Sequence, residues 1–200
     1  MRDAVCQCGS CARAFVPGAT MSASEPSSHH GASAPVVDVL LVFDTSMLLA
    51  RHPDASLRAE APTLTDADGC YLLAPAVDEL TARNDGRLRI VAPVGAHVRL
   101  RSSTLAMRAE HLAVVSGFHP ADEDVLSDAR LVIKDDVELT VPPSSENGAF
   151  VRRPAIDYYW QSRVRAHGTV DAQLDAILTD RAGETIGCFR WSIVVDVTAP

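Results

Sequence analysis

The stretch YYWQSRVRAHGTVDAQLDAILTDRAGETIGCFRWSIVVDV, residues 158–197, decides the fold class. Apolar and polar residues alternate through it in three segments, and a period of two is the mark of a strand with one buried face. In the first segment Tyr158, Trp160, Val164 and Ala166 share one face, while Tyr159, Gln161, Arg163, Arg165 and His167 share the other. In the second the apolar face is Val170, Ala172, Leu174, Ala176 and Leu178; in the third it is Phe189, Trp191, Ile193, Val195 and Val197.

Keeping these faces together constrains the turns, because a slip of one residue would turn a whole apolar face to water. An odd-length loop, His167-Gly168-Thr169, joins the first pair, with Gly168 at positive φ and Arg165 opposite Asp171. An even loop, Ala182-Gly183, joins the second, setting Arg181 opposite Glu184 and Asp175 opposite Arg190. Opposite charges then meet across both hairpins, each pair worth about 0.2–1 kcal/mol. The expectation is a three-stranded antiparallel meander with one wet face.

Upstream, Val36 to Phe43 is β-branched and nearly continuous in apolar character, which suits a strand buried on both sides or central in a sheet. Asp44-Thr45-Ser46 signals a turn or a helix N-cap, and Met47 to Arg51 can form one helical turn before Pro53 stops it. Ala55 to Asp68 reads as a long loop, and residues 75–83 as room for a second short helical turn. Further strands are expected at Cys70–Leu73, Leu88–Ala92, Ala96–Arg101, His111–Phe118, Ala129–Ile133 and Val137–Val141, with Pro142 to Gly148 a loop. Short strands punctuated by Gly and Pro make an all-β chain, an antiparallel β-sandwich over residues 35–200 with one or two short helical turns. Periodicity alone does not separate jelly-roll from immunoglobulin-like topology. Residues 1–34, rich in Ser, Ala, Pro and Gly without hydrophobic period, read as a disordered tail, within which Met21 is an alternative start.

The composition, 47% hydrophobic and 22% charged, is that of an ordinary globular protein. Its net charge of -8 repels nucleic acid and anionic lipid, so neither is an expected partner. No apolar run approaches the ~18 residues of a membrane span, and no uninterrupted apolar segment marks a signal peptide. The expected location is cytoplasmic. Of five cysteines, Cys6, Cys8 and Cys11 lie in the tail. Cys70 and Cys188 read as free thiols, with a disulfide between them the alternative.

Candidate chemistry is sparse. Cys6, Cys8 and Cys11 lack the fold and the fourth ligand that structural zinc needs, so no metal is expected. His29-His30 lie in the same tail and add little to it. Asp66-Ala67-Asp68-Gly69 has the start of a calcium loop without its later ligands and reads as a β-turn; His119 to Asp124 reads as a solvated acidic loop. Arg87, Arg89, Arg99 and Arg101 alternate with apolar residues, so they line the outer face of two adjacent strands. That stripe could bind an anion or simply be a solvated face paired with acids. Tyr159 points outward in the same scheme and could stack on a sugar, while Tyr158, Trp160, Phe189 and Trp191 are core. There is no G-x-S-x-G elbow, P-loop, G-x-G-x-x-G or H-E-x-x-H, and no cofactor is implied.

Val37-Asp38-Val39-Leu40-Leu41-Val42-Phe43-Asp44-Thr45 resembles the opening strand of the PixA/AidA family of bacterial inclusion-body proteins. Tyr159-Trp160, the strand to Leu178, the Asp180-Arg181-Ala182-Gly183 turn and Gly187-Cys188-Phe189-Arg190-Trp191 fall where that family has its closing hairpins. The likeness spans about residues 36–197. It implies a jelly-roll sandwich, a cytoplasmic protein that accumulates or self-assembles, and expression tied in some members to quorum sensing and host interaction. It carries over no catalytic residues. With four Met the chain departs from a sulfur store.

Three functions remain as expectations. The first is a non-enzymatic protein that self-associates through an edge strand. The second is a lectin-like module that takes a glycan near Tyr159 and the Arg stripe. The third is an unrecognised hydrolase built on His97, His111, His119 or His167.

Overall fold

The computed structural model describes residues 34–75, 80–83, 85–106, 110–143 and 148–200. Its elements, in chain order, are β1 (Val36–Phe43), α1 (Thr45–Arg51), β2 (Thr63–Thr65), β3 (Cys70–Pro75), β4 (Leu80–Arg83) and β5 (Arg87–Val91). There follow β6 (His97–Thr104), β7 (His111–Pro120), β8 (Arg130–Val141), β9 (Val151–Arg163), β10 (Gly168–Asp180) and β11 (Thr185–Thr198). They make two sheets. One has the order β4-β3-β1-β6-β9-β8; the other runs β2-β11-β10-β7, with β5 also on β11.

Val36–Phe43 is central, flanked by β3 antiparallel and β6 parallel. It buries Val39, Leu41 and Phe43 toward the second sheet and leaves Leu40 partly exposed. Asp44 caps the helix that follows, its Oδ1 accepting from the Met47 amide at 3.0 Å. The helix pins Leu48 in the core and ends before Pro53, whose ring cannot continue it. Phe43 and Trp191, 5.2 Å between ring centroids, join the two sheets. So does Trp160, whose indole N–H donates to the Val115 carbonyl at 2.9 Å. Phe189 and Trp191 are fully buried as expected, Trp160 packs against the same core, and Tyr158 is only half-buried.

The β10–β11 hairpin has the expected register, with Leu174 opposite Trp191 and Asp175 opposite Arg190. Near the turn it departs from expectation, since a bulge after Leu178 brings Thr179 opposite Thr185. The reversal is Arg181-Ala182-Gly183, closed by Gly183 N–H to Asp180 C=O at 3.1 Å, with Gly183 at φ +83°. The Asp180 carboxylate takes the Ala182 and Glu184 amides, which holds the wider loop.

The three-stranded meander does not form. Strand β9 lies between β6 and β8, whereas β10 lies between β11 and β7 in the other sheet. Residues 164–167 are thus a crossing between sheets, and Gly168 opens β10 instead of sitting in a hairpin turn. Arg165 meets Glu123 at 3.2 Å, not Asp171. Apolar faces that match within one sheet match equally well across two, so alternation alone could not separate these arrangements.

Other expectations are corrected as well. The sheets are mixed, since β1–β6, β11–β2 and β11–β5 run parallel. Ala129–Ile133 and Val137–Val141 belong to one strand, β8, bent by an irregularity between Lys134 and Val137. A short strand, β2, interrupts the long loop, and Leu80–Arg83 is strand where a helical turn was expected. Residues 76–79 of that segment, the tail residues 1–33 and residues 144–147 of the Pro142–Gly148 loop lie outside the described residues. Pro154 is tolerated inside β9 because residues 151–157 pair with β8 on one side only.

Candidate functional site

The arginines expected to form one stripe fall in two places, because β5 and β6 belong to different sheets. Arg87 and Arg89 stand on β5 at a cleft of about 560 Å³ that also exposes Thr169 and Asp196. Arg87 Nη1 lies 3.7 Å from Asp196 Oδ2, so the cleft holds both signs of charge.

Arg99 and Arg101 project from β6 onto the outer face of the first sheet. Arg101 donates to both oxygens of Asp157, at 3.1 and 2.9 Å, and also pairs with Asp38. The Asp157 hydrogen bonds hold the Arg101 guanidinium above its ordinary pKa, and Arg101 in turn holds the Asp157 carboxyl below its own. Arg99 Nε donates to Gln161 Oε1 at 3.1 Å. Both guanidinium carbons lie over the Tyr159 ring, 4.8 and 4.6 Å from its centroid, with Lys134 Nζ at 6.0 Å. Cation–π attraction accounts for that stacking.

Tyr159 therefore stands on the polar side of β9 as expected, but it is 2% exposed, covered by side chains from β6. A ring so covered offers no face to a sugar. The cluster's chemistry is mutual neutralisation across β1, β6 and β9.

On the outer face of the second sheet, Arg190 grips Asp175 through two hydrogen bonds of 2.6 Å, and His119 Nε2 lies 3.9 Å from the same carboxylate. That pairing holds the Arg190 pKa above its ordinary value. The other histidines expected to be catalytic candidates are dispersed. His111 Nδ1 contacts Thr45 Oγ1 at 3.3 Å, and His167 Nε2 donates to the Ala92 carbonyl at 3.0 Å. His97 Nδ1 is buried without a hydrogen-bond partner among the described residues. No carboxylate–imidazole–hydroxyl relay joins them among those residues.

Asp66 to Gly69 is a turn, with Gly69 at φ +79° and its carbonyl accepting from the Asp44 amide at 2.9 Å. Asp68 pairs with Arg51. Cys70 and Cys188 are free and buried, and burial pushes the Cys70 thiol up to about 12. Both are poor nucleophiles in the folded chain.

A further feature lies at the end of the first sheet. Strand β8 is an edge, and the β8–β9 ribbon leaves Leu131, Ile133, Leu139, Phe150, Val151 and Ile156 exposed by 46–72%. Leu131, Ile133 and Leu139 fall in segments expected as strands, whereas Phe150, Val151 and Ile156 fall between the expected strands. For Leu131, Ile133 and Ile156, on the side of Trp160, exposure depends on where the covering sheet stops, which no local pattern records.

The family model described as "Inclusion body protein", PixA, matches residues 35–197. Among solved structures, the crystal structure of the inclusion body protein of Burkholderia cenocepacia J2315 superimposes with a TM-score of 0.66 at 19% identity. The match covers 84% of this chain and 99% of that one, and at that identity it speaks for the fold. No curated protein matches. With a family model spanning nearly all of the two sheets, the chain belongs to the PixA family of inclusion body proteins.

Proposed function

We propose that this chain is a non-enzymatic, self-associating protein that accumulates in cytoplasmic inclusions. Quorum-sensing control and host association are the physiological setting implied by its resemblance to the wider family. We read its two sheets as a jelly-roll-like sandwich, a reading supported by their shared core and by the chain's repeated passage from one sheet to the other.

The observation that carries the self-association reading is β8, a strand from Arg130 to Val141 that among the described residues has a neighbour on one side only and leaves apolar side chains exposed. Long apolar edges are association sites unless blunted; Lys134, Asp135 and Asp136 blunt the irregular centre of this one, with Arg130 and Glu138 on either side, and Leu131, Ile133 and Leu139 stay exposed between the charges. Cryo-electron tomography of cells making the protein at its natural level tests the reading. Discrete inclusions labelled by the chain are expected, and an evenly dispersed chain at every growth density would overturn it.

A further inference from the structure

The far half of the β8–β9 ribbon stands alone. Among the described residues strand β6 pairs with β9 only from Trp160 to Arg163, so Val151 to Asp157 are paired along the backbone with β8 alone, and Asp157 reaches β6 through its side-chain bonds to Arg101. A two-stranded ribbon is marginal in water unless a face is packed.

The register identifies the face that lacks its packing. Leu131 is opposite Trp160 and Ile133 opposite Tyr158, which places all four on one side. Trp160 points that side toward the second sheet through its bond to Val115. Alternation along β9 puts Ile156 there too. This side is core where the second sheet covers it and open beyond: Ile133 is 62% and Ile156 68% exposed. The apolar pattern of a sandwich interior thus continues past the layer that should cover it.

We propose that this face is the contact with a second copy of the chain, ribbon against ribbon about a two-fold axis along the strands; the proposal rests on the self-association reading. Such an axis lays β8 of each copy over β9 of the other. Glu138, opposite Pro154, and Arg152, opposite Thr140, lie on the same face and carry opposite charges on the two strands. The axis brings Glu138 of each copy over the strand that bears Arg152 of the other, so the surface is complementary to itself. Within one chain these two already attract at 3.4 Å while remaining well exposed, which leaves them free to share a second partner.

The area fits as well. Leu131, Ile133, Ile156 and half-buried Tyr158 expose on the order of 400 Å² of side chain, about the apolar half of the ~800 Å² that each partner gives a standard interface. The residual contact falls to the polar rim of Lys134, Glu138 and Arg152.

The test compares the full chain with Ile133→Glu/Ile156→Glu by size-exclusion light scattering over one concentration series, with urea unfolding of each. The double variant should dimerise at least about tenfold more weakly and unfold at an unchanged midpoint at low concentration, where both sites face water. Hydrogen exchange of the unaltered chain at low and high concentration gives a readout that does not depend on the variant's folding. Protection should rise at Leu131–Ile133 and Ile156–Tyr158. A chain that associates while the folded variant associates equally, or whose added protection lies elsewhere, overturns the ribbon contact and leaves self-association standing. A chain that remains monomeric throughout overturns both, and an unlike partner would then have to cover the face.

Discussion

Asp175 and Arg190 face each other across the β10–β11 hairpin and share two hydrogen bonds of 2.6 Å, Nε to Oδ1 and Nη2 to Oδ2. The carboxylate side chain is 13% exposed, and Gly117 opposite it on β7 adds no side chain of its own. The pair ties the middle strands of one sheet together on the side away from the core.

Asp175→Asn keeps the shape and removes the charge. Arg190, 31% exposed, can turn to water, so the loss is below that of a fully buried pair. Urea unfolding should show a loss of about 1–2 kcal/mol. A double-mutant cycle with Arg190→Gln should show that most of it is coupling between the two, and additive losses would show that each acts alone.

Two glycines at positive φ should respond differently to alanine. Gly183, at φ +83°, has nothing within 4 Å of an added Cβ, so Gly183→Ala costs backbone strain alone, about 1 kcal/mol. Gly69, at φ +79°, would set its Cβ 2.7 Å from Leu48 Cγ and Cδ2, and Leu48 is locked in the core. Gly69→Ala should cost about 2–4 kcal/mol, the excess coming from overpacking. Equal losses in thermal or urea unfolding would refute the packing role given to the turn.

Acid should loosen the Arg101–Asp157 pair. The Asp157 pKa is depressed on folding, so the contribution of its ionised form is fully present above the ordinary carboxylate value of 3.8 and is lost as pH falls through the lower folded value. Carbon NMR titration should place the Asp157 carboxyl below that ordinary value, and Arg101→Gln should move it up. An unmoved midpoint in the variant would assign the depression to another cause.

How much could be read in advance depended on how local the determinant was. Asp175 and Arg190 lie on consecutive strands of one hairpin, where alternation and charge point to the same register. Tyr159 was placed on the correct side of its strand, yet its cover comes from Arg99 and Arg101 on β6, about sixty residues away in sequence by the Arg99–Gln161 bond. Arg165 showed the same limit. It had a plausible acid at Asp171 and found Glu123 instead, because the strands around it separate into different sheets. Ile133 closes a segment expected as strand and Ile156 lies before the alternation that begins at Tyr158, and the exposure of both depends on the extent of the second sheet.

Self-association is the central claim, and the most direct measurement is light scattering coupled to size exclusion on the full chain, from low to high micromolar, with and without a pool of bacterial and host glycans. The account predicts a mass that climbs with concentration from that of the 21.4 kDa chain to twice it or more, indifferent to the glycans. A mass of 21.4 kDa at every concentration, or a shift produced by glycan alone, would contradict it.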